Sequence, residues 1–192
     1  MEVGDGRIRR RDDPGSGERY TDILARHGLD ELTAEAEATP PSEANADLAR
    51  SGPSAARFVE VRVDEDLGFV RVARITTAVD AGRILNEKTA RSQIIGGTIG
   101  GIGQALLEEN IIDPGTGRVT NATFGDYLIP VNADAPDIDV VFVGEPDPLT
   151  PLGAKGVGEI GLVGIAAAIA NGVHHATGRR IRSIPITLDR LL

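Results

Sequence analysis

A carboxylate stands behind an amine and three glycines in Gly153-Ala154-Lys155-Gly156-Val157-Gly158-Glu159-Ile160-Gly161. The stretch leaves a segment punctuated by Pro146, Pro148 and Pro151 and runs into the apolar series Leu162 to Ala170. Glycine admits backbone conformations and close approaches that a Cβ forbids. Glu159 falls where a helix is expected to begin, and a helix start offers free N–H groups and a positive dipole end. Two readings follow. Glu159 is a first-turn carboxylate that stabilises its own helix by about 0.3–1 kcal/mol, or it is held on a glycine-walled loop beside a bound ligand.

Familiar phosphate motifs do not fit. A Walker A loop needs Gly-Lys followed by Ser or Thr, whereas Lys155 lies between Ala154 and Gly156. A dinucleotide fingerprint needs a strand running straight into G-x-G-x-x-G, and here the lead-in is Pro-rich. Other polar groupings carry less. His174 and His175 are adjacent, so on a helix they point about 100° apart and cannot chelate one ion together. Asp134, Asp137 and Asp139 lack the spacing and bidentate Glu of a calcium loop and read as a solvated acidic loop. No side-chain metal site is expected.

The elements that must position Glu159 belong to a chain of 192 residues, enough for one domain with a real core. Aromatic residues are only 3%, so that core rests on Val, Ile, Leu and Ala, with 24 glycines permitting close packing. A net charge of −9 excludes the basic, aromatic-studded footprint of a nucleic-acid binder. The absence of cysteine excludes disulfides, iron–sulfur ligation and a thiol nucleophile within the chain. The runs Ile94 to Leu107 and Ile160 to Ala170 both fall short of the roughly 20 residues that span a bilayer. No signal segment is read at the start, where Arg9, Arg10 and Arg11 meet Asp12, Asp13 and Pro14. A soluble, cytoplasmic protein is expected.

Residues 1–56 read as a loosely structured N-terminal segment and linker: one weak strand over Glu2–Arg11, a short helix capped by Thr21, and a linker over 36–56. Residues 57–192 carry the main pattern. Val59, Val61 and Val63 alternate with charges, a five-residue turn ends at Gly68, and Val70 to Val79 returns as a strand. Asn86 caps a helix over about 87–109 in which 96, 97, 100, 101 and 103 are glycine. Each exposed helical glycine costs roughly 0.8–1.0 kcal/mol relative to Ala, so another body must pack there. Ile95, Ile99, Ile102 and Leu106 form one stripe and Gly96, Gly100 and Gly103 the next, against which a second element or a cofactor would lie. Turn residues 113–117 lead to expected strands at 123–130 and 138–143, then a helix at about 160–176, ending near Gly178, and a final strand at 184–188. The order β-β-α-β-β-α-β predicts an α+β fold, two main glycine-rich helices on a mostly antiparallel sheet.

Five ordered motifs carry a resemblance: Asp80-x-Gly82-Arg83-x-x-Asn86; Gln93-x-x-Gly96-Gly97 with Gly101-Ile102-Gly103-x-Ala105-Leu106-x-Glu108-Glu109; Asp126-Tyr127-x-Ile129-Pro130; Gly153 to Glu159; and Ala168-Ile169-Ala170-Asn171. Over about 55–192 the chain resembles the C-terminal part of the molybdopterin-binding large subunit of the xanthine dehydrogenase/aldehyde oxidase family, the molybdenum hydroxylases. The resemblance implies that Glu159 is the base, that Gln93 hydrogen-bonds the pterin, and that the backbone of Gly156, Val157 and Gly158 faces the cofactor. A base must sit within one hydrogen bond of the proton it takes, and partial burial of Glu159 is expected. Lys155 is expected to be structural, pairing with a nearby acid.

The implied reaction hydroxylates an aldehyde or N-heterocycle with water as oxygen source. A non-catalytic cofactor-binding or assembly module of the same fold is the alternative. The implied cofactor is a molybdopterin-type molybdenum cofactor, in its cytosine dinucleotide form, with FAD and [2Fe-2S] on partner subunits or domains. Implied partners are an upstream half of the molybdenum subunit, FAD-binding and iron–sulfur subunits, and a small-molecule substrate. Without that half the chain is expected to be inactive. The chain departs from the family pattern at Glu87 and Ile160, where many relatives have Pro, and at Gly100, where many have Gln.

Overall fold

The computed structural model describes residues 2–37 and 52–192, which fall into two compact units, residues 1–39 and 40–192. Most of the linker expected over 36–56 lies outside the described residues.

The first unit is a three-stranded antiparallel sheet, β1 (Glu2–Gly4), β2 (Arg7–Arg9) and β3 (Glu18–Arg19), followed by α1 (Tyr20–Arg26). Asp5 and Gly6, both at positive φ, turn the chain between β1 and β2. The single strand expected there is therefore a hairpin. Its arginines pair with neighbouring acids, Arg9 with Glu2 at 3.3 Å and Arg10 with Asp12 at 2.9 Å, at exposures where such pairs contribute little. Helix α1 begins two residues earlier than expected, and Arg19 rather than Thr21 stands at its N-cap.

The second unit holds β4 (Ser54–Asp64), β5 (Phe69–Asp80), α2 (Glu87–Leu106), β6 (Asp137–Val143) and α3 (Ile165–Thr177). Strands β4 and β5 form an antiparallel hairpin closed by Asp64, whose Oδ1 accepts from the backbone N–H groups of Asp66 and Leu67 at 3.1 and 3.0 Å. Glu60 pairs with Arg74 but Val61 with Val72, so Ala73 is an extra residue on β5. That bulge switches the inward parity of β5 from Val70 and Val72 to Ile75, Thr77 and Val79. β6 joins the other side of β5 in parallel, which a long crossover through α2 permits. The sheet is thus mixed, not mostly antiparallel.

Helix α2 starts as expected, with Asn86 Oδ1 accepting from Thr89 N–H at 3.2 Å. It ends at Leu106, earlier than 109. Arg91, one turn in, donates to the Val140 carbonyl on edge strand β6 at 2.9 Å and lies over Phe142, tying helix to sheet. The buried positions of α2 are Ala90, Ile94, Thr98, Gly101, Ile102, Gly103 and Ala105. The expected Ile95–Ile99–Ile102–Leu106 stripe is therefore rotated, because the fully buried Thr98 occupies a core position that periodicity assigns to an apolar residue. Two clusters make the core. In one, β5, α2 and α3 contribute Ile75, Ile102, Ile165, Ile169 and Val173; in the other, Val79, Ala81, Ile94 and Val140 meet.

Two expected strands are absent. Over 123–130 the chain instead makes a helical turn, with Asp126 and Tyr127 N–H both donating to the Thr123 carbonyl. Phe124 and Tyr127 are three apart rather than alternating, and Phe124 is 87% exposed. Near 184–188, Pro185 removes a ladder donor, and Ile186 N–H donates to the Ala105 carbonyl of α2 instead. The stretch Glu159–Thr177 is apolar enough, taken whole, to cross a membrane. It is not one continuous helix, however: Gly164 at φ 86 separates a 3-10 turn, Glu159–Gly161, from α3. α3 buries Ile165, Ile169 and Val173 completely and ends at Gly178 in the left-handed conformation.

Candidate functional site

The glycine-rich loop is fastened to the end of β5. Gly82 and Ala154 form an antiparallel bridge, Arg83 N–H donates to the Gly153 carbonyl at 2.6 Å, and Lys155 N–H to the Ala81 carbonyl at 2.8 Å. A Cβ at Gly82 would run into the Gly153 carbonyl, and both glycines hold positive φ, so neither position admits a side chain readily. The side chains close the same junction. Lys155 Nζ sits 2.9 Å from Asp80 Oδ2, both partly buried, while Asp80 Oδ1 accepts from Gly82 N–H at 3.0 Å. Lys155 therefore has the acidic partner expected for it, and the Asp80-x-Gly82-Arg83 motif is the other half of the clamp.

These bonds hold the Asp80 carboxyl below the ordinary carboxylate range, chiefly through the Gly82 N–H and then through Lys155. A depressed folded value means that the ionised form favours the fold. Its contribution is complete above the unfolded value and disappears as pH falls through the folded one. Asp80→Asn is expected to lower the melting temperature at pH 7 and to narrow the gap between the melts at pH 7 and pH 3. Melting curves of the two proteins at both pH values test this; equal gaps would contradict it.

Beyond the clamp the loop turns its two apolar side chains inward. Val157 and Ile160 pack against the cluster of Val79, Ala81, Ile94 and Val140. Gly156, Gly158 and Glu159 are left exposed. The 3-10 turn then docks on α2 by a glycine–glycine contact. A Cβ on Gly97 would lie 2.7 Å from Gly161 C, and one on Gly161 would lie 3.0 Å from the Gln93 carbonyl oxygen and 3.2 Å from Gly97 Cα. Thr98 Oγ1, fully buried, lies 3.5 Å from the Gly161 carbonyl. Two motifs 66 positions apart, with Gln93 in one and Glu159 in the other, are thereby brought together.

Neither the Gln93 nor the Glu159 side chain is engaged by a hydrogen bond or ion pair among the described residues, and both are exposed. The partial burial expected for Glu159 is not supplied by this chain, because the turn projects it away from the core that holds Ile160. Among the described residues no three His, Asp or Glu side chains gather as a metal site.

The glycines divide by what explains them. Gly97, Gly101 and Gly103 are close-packed: a Cβ at Gly101 would sit 2.5 Å from Ile165 Cβ, and one at Gly103 would sit 2.7 Å from Pro130 Cδ. Gly96, Gly156 and Gly158 have open space where a Cβ would go and no positive φ. The expected stripe of Gly96, Gly100 and Gly103 is thus corrected. Only Gly103 is tightly filled by the chain, while Gly100 meets just the end of Leu162 at 3.5 Å. The close-packed pair sequence reasoning missed is Gly97 and Gly101, spaced i, i+4.

A mixed α+β unit that offers an uncharged amide, open glycine backbone and one carboxylate on an exposed face suits a large organic cofactor better than a bare ion. The chain belongs to the molybdopterin cofactor-binding domain family, whose model matches residues 1–136, and within it to the xanthine dehydrogenase/aldehyde oxidase type. It is 52% identical over 139 residues to the aldehyde oxidoreductase molybdenum-binding subunit PaoC of Escherichia coli K12, covering 72% of this chain and 19% of that subunit. It is 42% identical over 134 residues to the putative xanthine dehydrogenase molybdenum-binding subunit XdhA of the same organism, covering 70% of this chain and 18% of the relative. Among solved structures, aldehyde oxidoreductase from Desulfovibrio gigas superposes with a TM-score of 0.67 at 34% identity, over 73% of this chain and 15% of that one. The chain therefore spans about a fifth of the curated relatives' length.

Proposed function

We propose that this chain forms the base-bearing side of the active site of a molybdenum hydroxylase acting on an aldehyde or N-heterocycle, with water as oxygen source. The observation that carries the reading is the set of glycines the chain's own packing leaves unexplained. Gly96, Gly156 and Gly158 have ordinary φ and nothing within 4 Å of the point where a Cβ would stand, and they flank the two unengaged side chains Gln93 and Glu159. A flat organic group lying against this surface needs that space.

When bound, the molybdenum cofactor supplies the two-electron redox chemistry and the site at which water becomes the transferred oxygen. The chain's own residues do the rest. Glu159 accepts the proton of the attacking oxygen at its carboxylate, which an exposed, unpaired side chain on a rigid turn is free to do. Gln93 offers an amide that donates and accepts at once, which suits the edge of a pterin. Val157 and Ile160 hold the loop down by their side chains, so that the backbone of Gly156, Val157 and Gly158 faces outward. Asp80 and Lys155 neutralise each other and keep the loop's other end fixed.

The cytosine dinucleotide form of the cofactor, FAD-binding and iron–sulfur partners, and the remaining cofactor contacts on further segments of the subunit complete the proposal. It also implies that these residues alone do not turn over substrate, since they cover one side of the cofactor only. A cytoplasmic setting is part of the same proposal.

Gly96→Leu separates a cofactor surface from a packing surface. Replacing an unhindered helical glycine is expected to stabilise the chain by up to about 1 kcal/mol, while molybdenum content per assembled subunit falls. Melting temperature and metal analysis test it. Full molybdenum occupancy in Gly96→Leu would remove the cofactor from this face.

A further inference from the structure

The base turn is held by α2, and a second restraint reaches it from β4. Arg57 lies on β4, on the inward side shared with Val59, Val61 and Val63. Its Nη2 donates to the carbonyl of Ile160, the residue directly after Glu159, across 103 positions of sequence. Its Nε and Nη1 are buried and have no partner among the described residues. Its cross-strand neighbour Thr77 is fully buried, and the Thr77 hydroxyl is likewise unpartnered.

A guanidinium held under a backbone turn with two idle donors is not a core-filling device, since an apolar side chain would fill the space without the cost of desolvating a charge. What it does supply is a rigid donor fork aimed at one carbonyl. The Ile160 carbonyl is the point where that fork gains leverage on Glu159. The turn's own bonds, from Leu162 and Val163 N–H to the Glu159 carbonyl at 3.0 and 3.2 Å, fix its shape. Thr98 and Gly97 fix its height on α2 at Gly161. Neither set stops the turn from pivoting about Gly161, because glycines at 158, 161 and 164 free the backbone on both sides.

We infer that Arg57 is a positioning residue for the base, a clamp from the sheet on the Ile160 carbonyl that stops the Glu159 turn from pivoting on its glycine contact with α2. The inference rests on Glu159 being the base, and its test is arranged to tell the two apart. Arg57→Met keeps the apolar stem but removes the donors; Arg57→Lys restores a single cationic donor group.

In the full chain, hydrogen exchange of a peptide spanning 159–164 is expected to speed up roughly tenfold in Arg57→Met, the change that losing one ordinary hydrogen bond makes to a local opening equilibrium. Exchange in α2 and in the β4–β5 hairpin should stay unchanged, and Arg57→Lys should recover most of the protection. In the assembled enzyme, kcat of Arg57→Met should fall by up to ~10²-fold, the scale of a 1 Å misplacement, with KM and molybdenum content unchanged. Unaltered exchange over 159–164, or acceleration spread equally over α2 and the hairpin, overturns the clamp. Selective acceleration with unchanged kcat overturns its service to the base. If Glu159→Gln also leaves kcat unchanged, the base assignment has failed rather than the clamp.

Discussion

Glu159→Gln in the assembled enzyme is expected to lower turnover by ~10²–10⁴-fold, the range for losing a general base, and to leave molybdenum content and stability as they were. The structure gives the reason to expect a clean change. The Glu159 side chain is exposed and makes no bond whose loss would unsettle the turn; the residue serves the fold through its backbone carbonyl, which accepts from Leu162 and Val163. Glutamine keeps that carbonyl and the side chain's size while losing proton affinity. Turnover measured at saturating substrate, with metal analysis of the same preparation, decides it. Near-normal turnover would take the role away from Glu159.

The second large effect is structural and falls on Gly97. Its missing Cβ would stand 2.7–2.8 Å from three backbone atoms of Gly161 and Leu162. Backbone cannot yield as a flexible side chain can, so even Gly97→Ala should destabilise the chain by about 1–3 kcal/mol through overpacking, against a helix-propensity gain of roughly 0.8–1.0 kcal/mol. Gly100→Ala, facing only Leu162 Cδ1, should not. Chemical denaturation of the two variants side by side reads the contrast, and equal stabilities would show that the turn does not dock where the structure has it.

Local chemistry was legible in the sequence, and long-range compensation was not. Asn86 reads as an N-cap and Gly178 as a stop because each acts on its own turn. The 113–117 turn reads from Asp113, Gly115 and Gly117 for the same reason, and Asp113 Oδ1 does accept from Gly115 and Thr116 N–H. Thr98 defeats the reading of α2 because its hydroxyl meets a carbonyl 63 positions away, so a polar residue sits in the core stripe. The bulge at Ala73 is invisible to a pattern that alternates well on either side of it. The strands expected at 123–130 and 184–188 rested on apolar content; among the described residues neither has a neighbour to pair with, and their bonds go to a local turn and to α2. For the site, residue types marked the Gly153–Glu159 loop and the resemblance pointed to Gln93, whereas the contacts that fasten the loop, Lys155 to Asp80, Gly161 to Gly97 and Ile160 to Arg57, show themselves only in the fold.

The ties at this junction join points far apart in the chain: Lys155 to Asp80 across 75 positions and Arg57 to Ile160 across 103. The entropy of closing a loop grows only with the logarithm of its length, so doubling the intervening chain costs about 0.6 kcal/mol. Almost all of that cost is already met by the existing span. The excursion between α2 and β6, with its exposed turn at 113–117, can therefore be lengthened or exchanged with little effect on where Glu159 stands. What surrounds the proposed cofactor face and what holds it are thus separable by topology: the first can vary in length and composition, while the second depends on a few short-range contacts at the ends of long loops.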